Sequence, residues 1–133
     1  MNLIGPAVRV PSESLTFPLR KAAQLYPKKV AVIEPEAGGK ETTYQGLDEK
    51  SSVLAASLAG MGVEPGDRVA VWMKNSLGYI LSFYGILKTG GIVVPVSTHY
   101  GEREVLYQLR ETKVKGIITS DSLYAQMRNL VAE

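Results

Sequence analysis

Two rhythms of apolar residues alternate along the chain. Positions spaced three and four residues apart mark helical faces, and short runs of β-branched residues mark strands. A first helix is expected from Thr16, whose hydroxyl can cap it. Pro18 lies near its start, and Phe17, Ala22, Ala23, Leu25 and Tyr26 form an apolar side up to Pro27. Lys29 to Glu34 alternates around Val30 and Val32, and Lys40 to Thr43 can pair with it across the loop Pro35 to Gly39, which predicts a hairpin. Thr43 then precedes Leu47, Leu54, Leu58 and Met61 at helical spacing, with Ala55, Ala56 and Ala59 beside them. Gly60 and Gly62 end that helix.

The second half alternates strand and helix. Pro65-Gly66-Asp67 makes a turn into the near-continuous apolar run Arg68 to Met73, expected to be a central strand. Asn75 or Ser76 caps a helix with the stripe Leu77, Ile80, Leu81, Tyr84 and Leu87. Gly90 and Gly91 stop it, and Ile92, Val93 and Val94 form a strand that Pro95 cuts short. After the loop Ser97 to Gly101, Val105, Leu106 and Leu109 turn inward while Glu102, Arg103, Glu104, Arg110 and Glu111 face water. Lys115 to Thr119 is a third strand, and a last helix from about Ser120 carries Leu123, Tyr124, Met127, Leu130 and Val131. Strand and helix alternating over short connections imply an α/β fold. The expected architecture is a small parallel sheet of about three strands with flanking helices and right-handed crossovers, preceded by a short antiparallel hairpin. So few parallel strands rarely stand alone, so further covering structure is expected.

Composition narrows the class of function. The 133 residues are treated as a single domain, 1–133, of ordinary globular make-up, with 45% hydrophobic and 21% charged residues. The net charge of +2 comes from scattered Lys and Arg, with no basic run longer than the pairs Arg20-Lys21 and Lys28-Lys29, so nucleic acid is not an expected partner. Without cysteine, disulfides and thiolate metal sites are excluded, and a single histidine makes structural zinc implausible. The start Met-Asn-Leu-Ile-Gly-Pro has neither a basic region nor an apolar stretch of signal-peptide type, and no span approaches the roughly 20 apolar residues of a membrane helix. A cytoplasmic location without an integral membrane segment is expected.

Few residues qualify as chemistry. Gly38-Gly39-Lys40 lacks the earlier glycine and the following hydroxyl of a phosphate loop, holding Glu34 and Glu41 at those places, and reads as a hairpin turn. Gly60-Met61-Gly62 lacks the third glycine of a dinucleotide fingerprint and leads into a strand. His99, with Ser97 and Thr98, lies after the proline-ended strand, at the sheet edge where α/β folds place ligands. No nucleophile, carboxylate or second histidine is fixed beside it, so it reads as a loop residue. Trp72 is expected in the core. Of the tyrosines at 79, 84, 100, 107 and 124, helical spacing accounts for Tyr84 and Tyr124. Glu64 and Asp67 flank a turn and do not form an acid and base pair. No catalytic, cofactor-binding or metal-binding residue is assigned.

Five segments in order resemble the amino-terminal part of the adenylate-forming superfamily, which comprises acyl-CoA synthetases, luciferases and peptide-synthetase adenylation domains. Thr42 to Leu47 is similar to its first core motif, a Thr-Tyr pair opening a long helix. Gly62 to Ala70 is similar to its Gly-Asp turn into a strand, Asn75-Ser76 to the asparagine that follows, Leu87 to Val96 to its second core motif, and Glu104 to Leu109 to a glutamate-led helix. One departure is Gly46, where the family has a glutamate able to complete a capping box, a change costing on the order of 1 kcal/mol. The resemblance implies activation of a carboxylic acid, a fatty acid above all, by ATP and magnesium to an acyl-adenylate, then transfer to the thiol of coenzyme A. The family's phosphate loop, ribose-binding aspartate and mobile lysine do not occur in this sequence. The chain is therefore expected to be the first subdomain of an acyl-CoA synthetase amino-terminal domain and inactive by itself. Its expected partners are the remainder of the parent chain and, in an assembly, a second copy of it. Two other readings stand beside it: a flavodoxin-like interaction module with a ligand at Ser97 to Tyr100, and an adenylation domain serving a carrier-protein thiol or an amine.

Overall fold

The computed structural model describes residues 12–131, so the opening Met1 to Pro6 lies outside the described residues. Its elements follow the expected order: α1 (Phe17–Leu25), β1 (Val30–Glu34), a 3-10 turn (Pro35–Ala37), β2 (Lys40–Thr43), α2 (Tyr44–Gly60), β3 (Arg68–Trp72), α3 (Leu77–Lys88), β4 (Ile92–Pro95), α4 (Glu102–Thr112), β5 (Gly116–Thr119) and α5 (Asp121–Val131). β1 and β2 pair antiparallel, and β3 lies between β4 and β5 in a parallel sheet. Both expected sheets are therefore present, with Arg68 to Trp72 central.

Alternation along β3 sends its side chains to two separate cores, as a parallel strand covered on both faces requires. Ala70 and Trp72 pack with Val94 and Val96 beneath Val105, Leu106 and Leu109 of α4 and Leu123 of α5. Val69 and Val71 face the opposite way, against Leu58 of α2 and Ile86 of α3. A third cluster of Leu19, Leu47 and Leu77 seats the hairpin and α1 on α2 and α3.

Of the two residues offered as the cap of α3, Ser76 takes the place, accepting from the Tyr79 amide at 3.2 Å, and Thr43 caps α2 by accepting from the Gly46 amide at 3.1 Å. Thr16 does not cap α1: its backbone is already helical, its side chain is buried, and its hydroxyl lies 2.7 Å from that of Ser14. The apolar side assigned to α1 is also corrected. Leu19 is its buried residue, while Phe17, Leu25 and Tyr26 are exposed. Met61 and Tyr124, placed inward by spacing, are exposed too. α3 is covered twice: the expected stripe packs, with Leu77 buried and Ile80, Leu81 and Tyr84 against the third cluster, and a second face of Ser82, Gly85 and Ile86 is buried as well. The sheet receives Ile86, and α2 comes so close that a Cβ at Gly85 would lie 2.9 Å from Leu54. Lys88, at the end of α3, reaches back to Asp48 of α2 at 2.6 Å and to the Ser52 hydroxyl at 2.9 Å.

Candidate functional site at the carboxyl edge of the sheet

The parallel strands give the sheet two unlike ends. At the amino end, the Pro65-Gly66-Asp67 turn and the Gly90-Gly91 joint pack against each other. The Gly66 amide donates to the Gly90 carbonyl at 2.9 Å and the Ile92 amide to the Asp67 carbonyl at 2.7 Å. Gly90 has φ +80°, and a Cβ there would meet Pro65 at 3.0 Å, so both conformation and space call for glycine. The Asp67 carboxylate accepts from the Glu64 amide and from Lys115 Nζ, each at 2.7 Å. Lys115 and the Glu64 amide together hold the Asp67 carboxyl below the usual aspartate range, and the Asp67 carboxylate in turn raises the Lys115 ammonium. Asp67 thus locks a turn to the start of β5, as its place beside Pro65-Gly66 implied.

The carboxyl end is open. Pro95 to Tyr100, Met73 to Asn75 and Tyr79 line a hollow of about 640 Å³. Open α/β sheets bind ligands at this edge, where strand ends and the loops after them converge. His99 is exposed, and its backbone amide donates to the Ser97 hydroxyl at 3.2 Å, a bond that shapes the loop. The lining contains Lys74 and His99 but no carboxylate, so it offers a neutral to cationic surface without an acid and base pair. Just behind it, Thr119 donates to the Trp72 carbonyl at 2.7 Å. Trp72 is core, as expected, yet its buried indole N–H has no hydrogen-bond partner among the described residues.

A second hollow of about 660 Å³ lies where the hairpin meets the start of α3. The Glu34 carboxylate accepts from the Leu77 amide at 2.8 Å, and together with Ser76 it satisfies the first turn of that helix. That helix start is already filled by an anion from within the chain. Sequence spacing carried no sign of this contact, because Glu34 and Leu77 are 43 residues apart. Gly38 and Gly39 form the hairpin turn, both with positive φ, next to Glu36. Among the described residues no group of three His, Cys, Asp or Glu could hold a metal ion, and no glycine-rich loop lines the carboxyl-edge hollow. These residues do not fit magnesium-bound ATP by themselves. Nor is any helix among the described residues long and apolar enough to cross a membrane.

A parallel sheet with structural turns at its amino edge and an open, polar-lined carboxyl edge is the frame of an α/β enzyme domain. The profile of the AMP-binding enzyme family matches residues 19–133, and the chain belongs to that family. It is 38% identical over 123 residues to the long-chain-fatty-acid–CoA ligase of Bacillus subtilis, covering 92% of this chain and 21% of the relative. It is also 31% identical over 120 residues to tyrocidine synthase 3 of Brevibacillus parabrevis, covering 86% of this chain and 2% of that protein. Among solved structures, the inhibitor-bound N-terminal domain of FACL13 from Mycobacterium tuberculosis superimposes with a TM-score of 0.85 at 28% identity. That match covers 90% of this chain and 30% of that one. The chain thus spans about a fifth of the length of the Bacillus ligase.

Proposed function

We propose that this chain is the first part of the amino-terminal domain of an acyl-CoA ligase. In that enzyme a carboxylate attacks the α-phosphorus of ATP, pyrophosphate leaves, and the resulting acyl-adenylate is captured by the thiol of coenzyme A with release of AMP. A fatty acid is the proposed substrate. The observation that carries the reading is the match to the Bacillus long-chain-fatty-acid–CoA ligase across 92% of the chain. Within that enzyme residues 12–131 serve as a frame: the turns at the amino edge fix the strands, and the carboxyl edge faces the reacting groups. No residue of the chain is assigned a catalytic role, and the chain by itself is proposed to be inactive.

The test is an assay of the polypeptide translated from the complete reading frame. AMP release that requires ATP, palmitate and coenzyme A together is expected. Release that ignores acids of every chain length would overturn the reading. A second reading, transfer to a carrier-protein thiol, is favoured by the 31% identity to tyrocidine synthase 3. It predicts acid-dependent exchange of pyrophosphate into ATP with no acceleration by coenzyme A.

A further inference from the structure

The register of β3 and β4 ends at Val71 and Pro95, and one peptide group there is held from two sides. Its N–H, that of Val96, donates to the Val71 carbonyl at 3.0 Å. Its carbonyl, that of Pro95, points the opposite way across the planar trans bond, off the side of β4 away from β3. Gln108 of α4 meets it there, with Nε2 donating at 2.8 Å. From this peptide to Gly101, whose carbonyl accepts the first bond of α4 from Val105 at 3.1 Å, the loop's own bonds among the described residues run only to Ser97. Gln108 is an unusual residue for its place. It stands three positions after the fully buried Val105 and one before Leu109, on the face that packs over Val94 and Val96. It is half-buried, and its Oε1 is enclosed without a hydrogen-bond partner among the described residues. A buried acceptor left unmet is costly, and an apolar residue would avoid that cost. What the amide supplies in return is the N–H to Pro95.

We propose that Gln108 is a positioning residue, whose side-chain amide clasps Pro95 and so fixes where Ser97, Thr98 and His99 stand at the carboxyl edge. The bond spans 13 residues, from the end of β4 to the middle of α4, and sets the two ends of the loop relative to each other. Closing the span at both ends restricts the arrangements open to the residues between. A ligand at this edge benefits, because polar groups already in place need no ordering when it binds. The donor is the requirement and not the shape of the side chain, since Nε2 makes the contact while Oε1 makes none. The clasp is formed entirely within the described residues and asks nothing of a free surface. That the loop meets a substrate rests on the ligase reading; the clasp itself does not.

The first test is amide hydrogen exchange by NMR in the 133-residue protein, comparing Val96 with Ala70 in the middle of β3. Gln108→Met keeps the length of the side chain and removes the donor, and Gln108→Lys keeps a donor at similar reach. Loss of one hydrogen bond should speed exchange at Val96 about fivefold in Q108M, with Ala70 unchanged and Q108K close to the unsubstituted protein. Unchanged exchange in Q108M, equal loss in both variants, or a Q108M chain that circular dichroism shows unfolded would overturn the proposal. The second test uses the polypeptide translated from the complete reading frame. Q108M should raise KM for one substrate about fivefold with kcat kept and Q108K should hold KM, whereas an enzyme that is merely unstable loses active molecules and therefore kcat alone. An unsubstituted enzyme that ignores every acid would sink the ligase reading and leave the exchange result to decide the clasp. An active enzyme whose KM values Q108M leaves untouched would overturn the positioning role.

Discussion

The two ends of the parallel sheet differ in how fully their groups are engaged. At the amino end, Gly66, Asp67, Gly90, Ile92 and Lys115 are tied to one another by hydrogen bonds of 2.7 to 2.9 Å. At the carboxyl end, His99 is exposed and the loop Ser97 to Tyr100 is tied only to itself among the described residues, by bonds of 3.2 and 3.3 Å to Ser97, while its approach is anchored by the Val96 amide on the Val71 carbonyl at 3.0 Å and by Gln108 on the Pro95 carbonyl at 2.8 Å. An end whose groups satisfy each other has nothing left to offer a ligand. An end with exposed polar side chains around a hollow, here Lys74, Asn75 and His99, is where one can bind. The most recognisable motif of the chain, Leu87 to Val96, spans the sheet from one end to the other. Its glycines belong to the closed end, so the motif marks the family while its geometry is structural in cause.

Substitutions at the two ends should therefore differ in kind. Gly90→Val should have the largest effect. It forces a β-branched residue into φ +80° with its Cβ 3.0 Å from Pro65, at a cost of about 3 kcal/mol. Thermal denaturation followed by circular dichroism measures it, and a loss under about 1 kcal/mol would mean the joint can move. Lys88→Met comes next. Lys88 is 8% exposed at the same end of the molecule, and its removal strips Asp48 of its ion pair, leaving a half-buried carboxylate, for about 2 kcal/mol in urea unfolding.

Asp67→Asn acts through pH. The folded Asp67 carboxyl titrates below the ordinary aspartate value of about 3.9, so its contribution is complete above that pH and is lost as pH falls through the lower folded value. Lys115 titrates higher when folded, so its contribution is complete below about 10.4 and is lost as pH rises through the raised value. The variant should flatten both limbs of a stability profile taken from about pH 2 to about pH 12, and unchanged limbs would show that the pair does not act in solution. His99→Ala should have the smallest effect, under about 0.5 kcal/mol, because the exposed ring makes no contact that folding requires. A larger loss would erase the contrast between the ends.

Features read from neighbouring residues were legible in the sequence, and those made by distant residues were not. The cap at Ser76, the glycine stops, the hairpin and the central strand all rest on groups within a few positions of each other. Periodicity located a helix at Leu77 to Lys88 and one of its packed faces but not the second, Ser82, Gly85 and Ile86, because a helix pressed by both a sheet and another helix has two inward sides. The Glu34 cap on α3 and the tie from Lys88 to Asp48 join residues 43 and 40 apart and leave no local trace. Thr16 had the chemistry of a cap, but Ser14 takes its hydroxyl and the helical backbone at Thr16 removes the geometry. At the carboxyl edge, the loop Ser97 to Tyr100 was identifiable from its place after a proline-ended strand. Its pairing with Met73 to Asn75 and Tyr79 required the parallel register of β3 and β4.

The proposed function predicts that residues 12–131 frame a nucleotide site without containing one. Isothermal titration of the purified 133-residue protein with magnesium-ATP tests this directly. No saturable heat up to millimolar nucleotide is expected, with the protein folded by circular dichroism. Saturable one-to-one binding at micromolar nucleotide, abolished by substitution at Lys74 or His99, would contradict it.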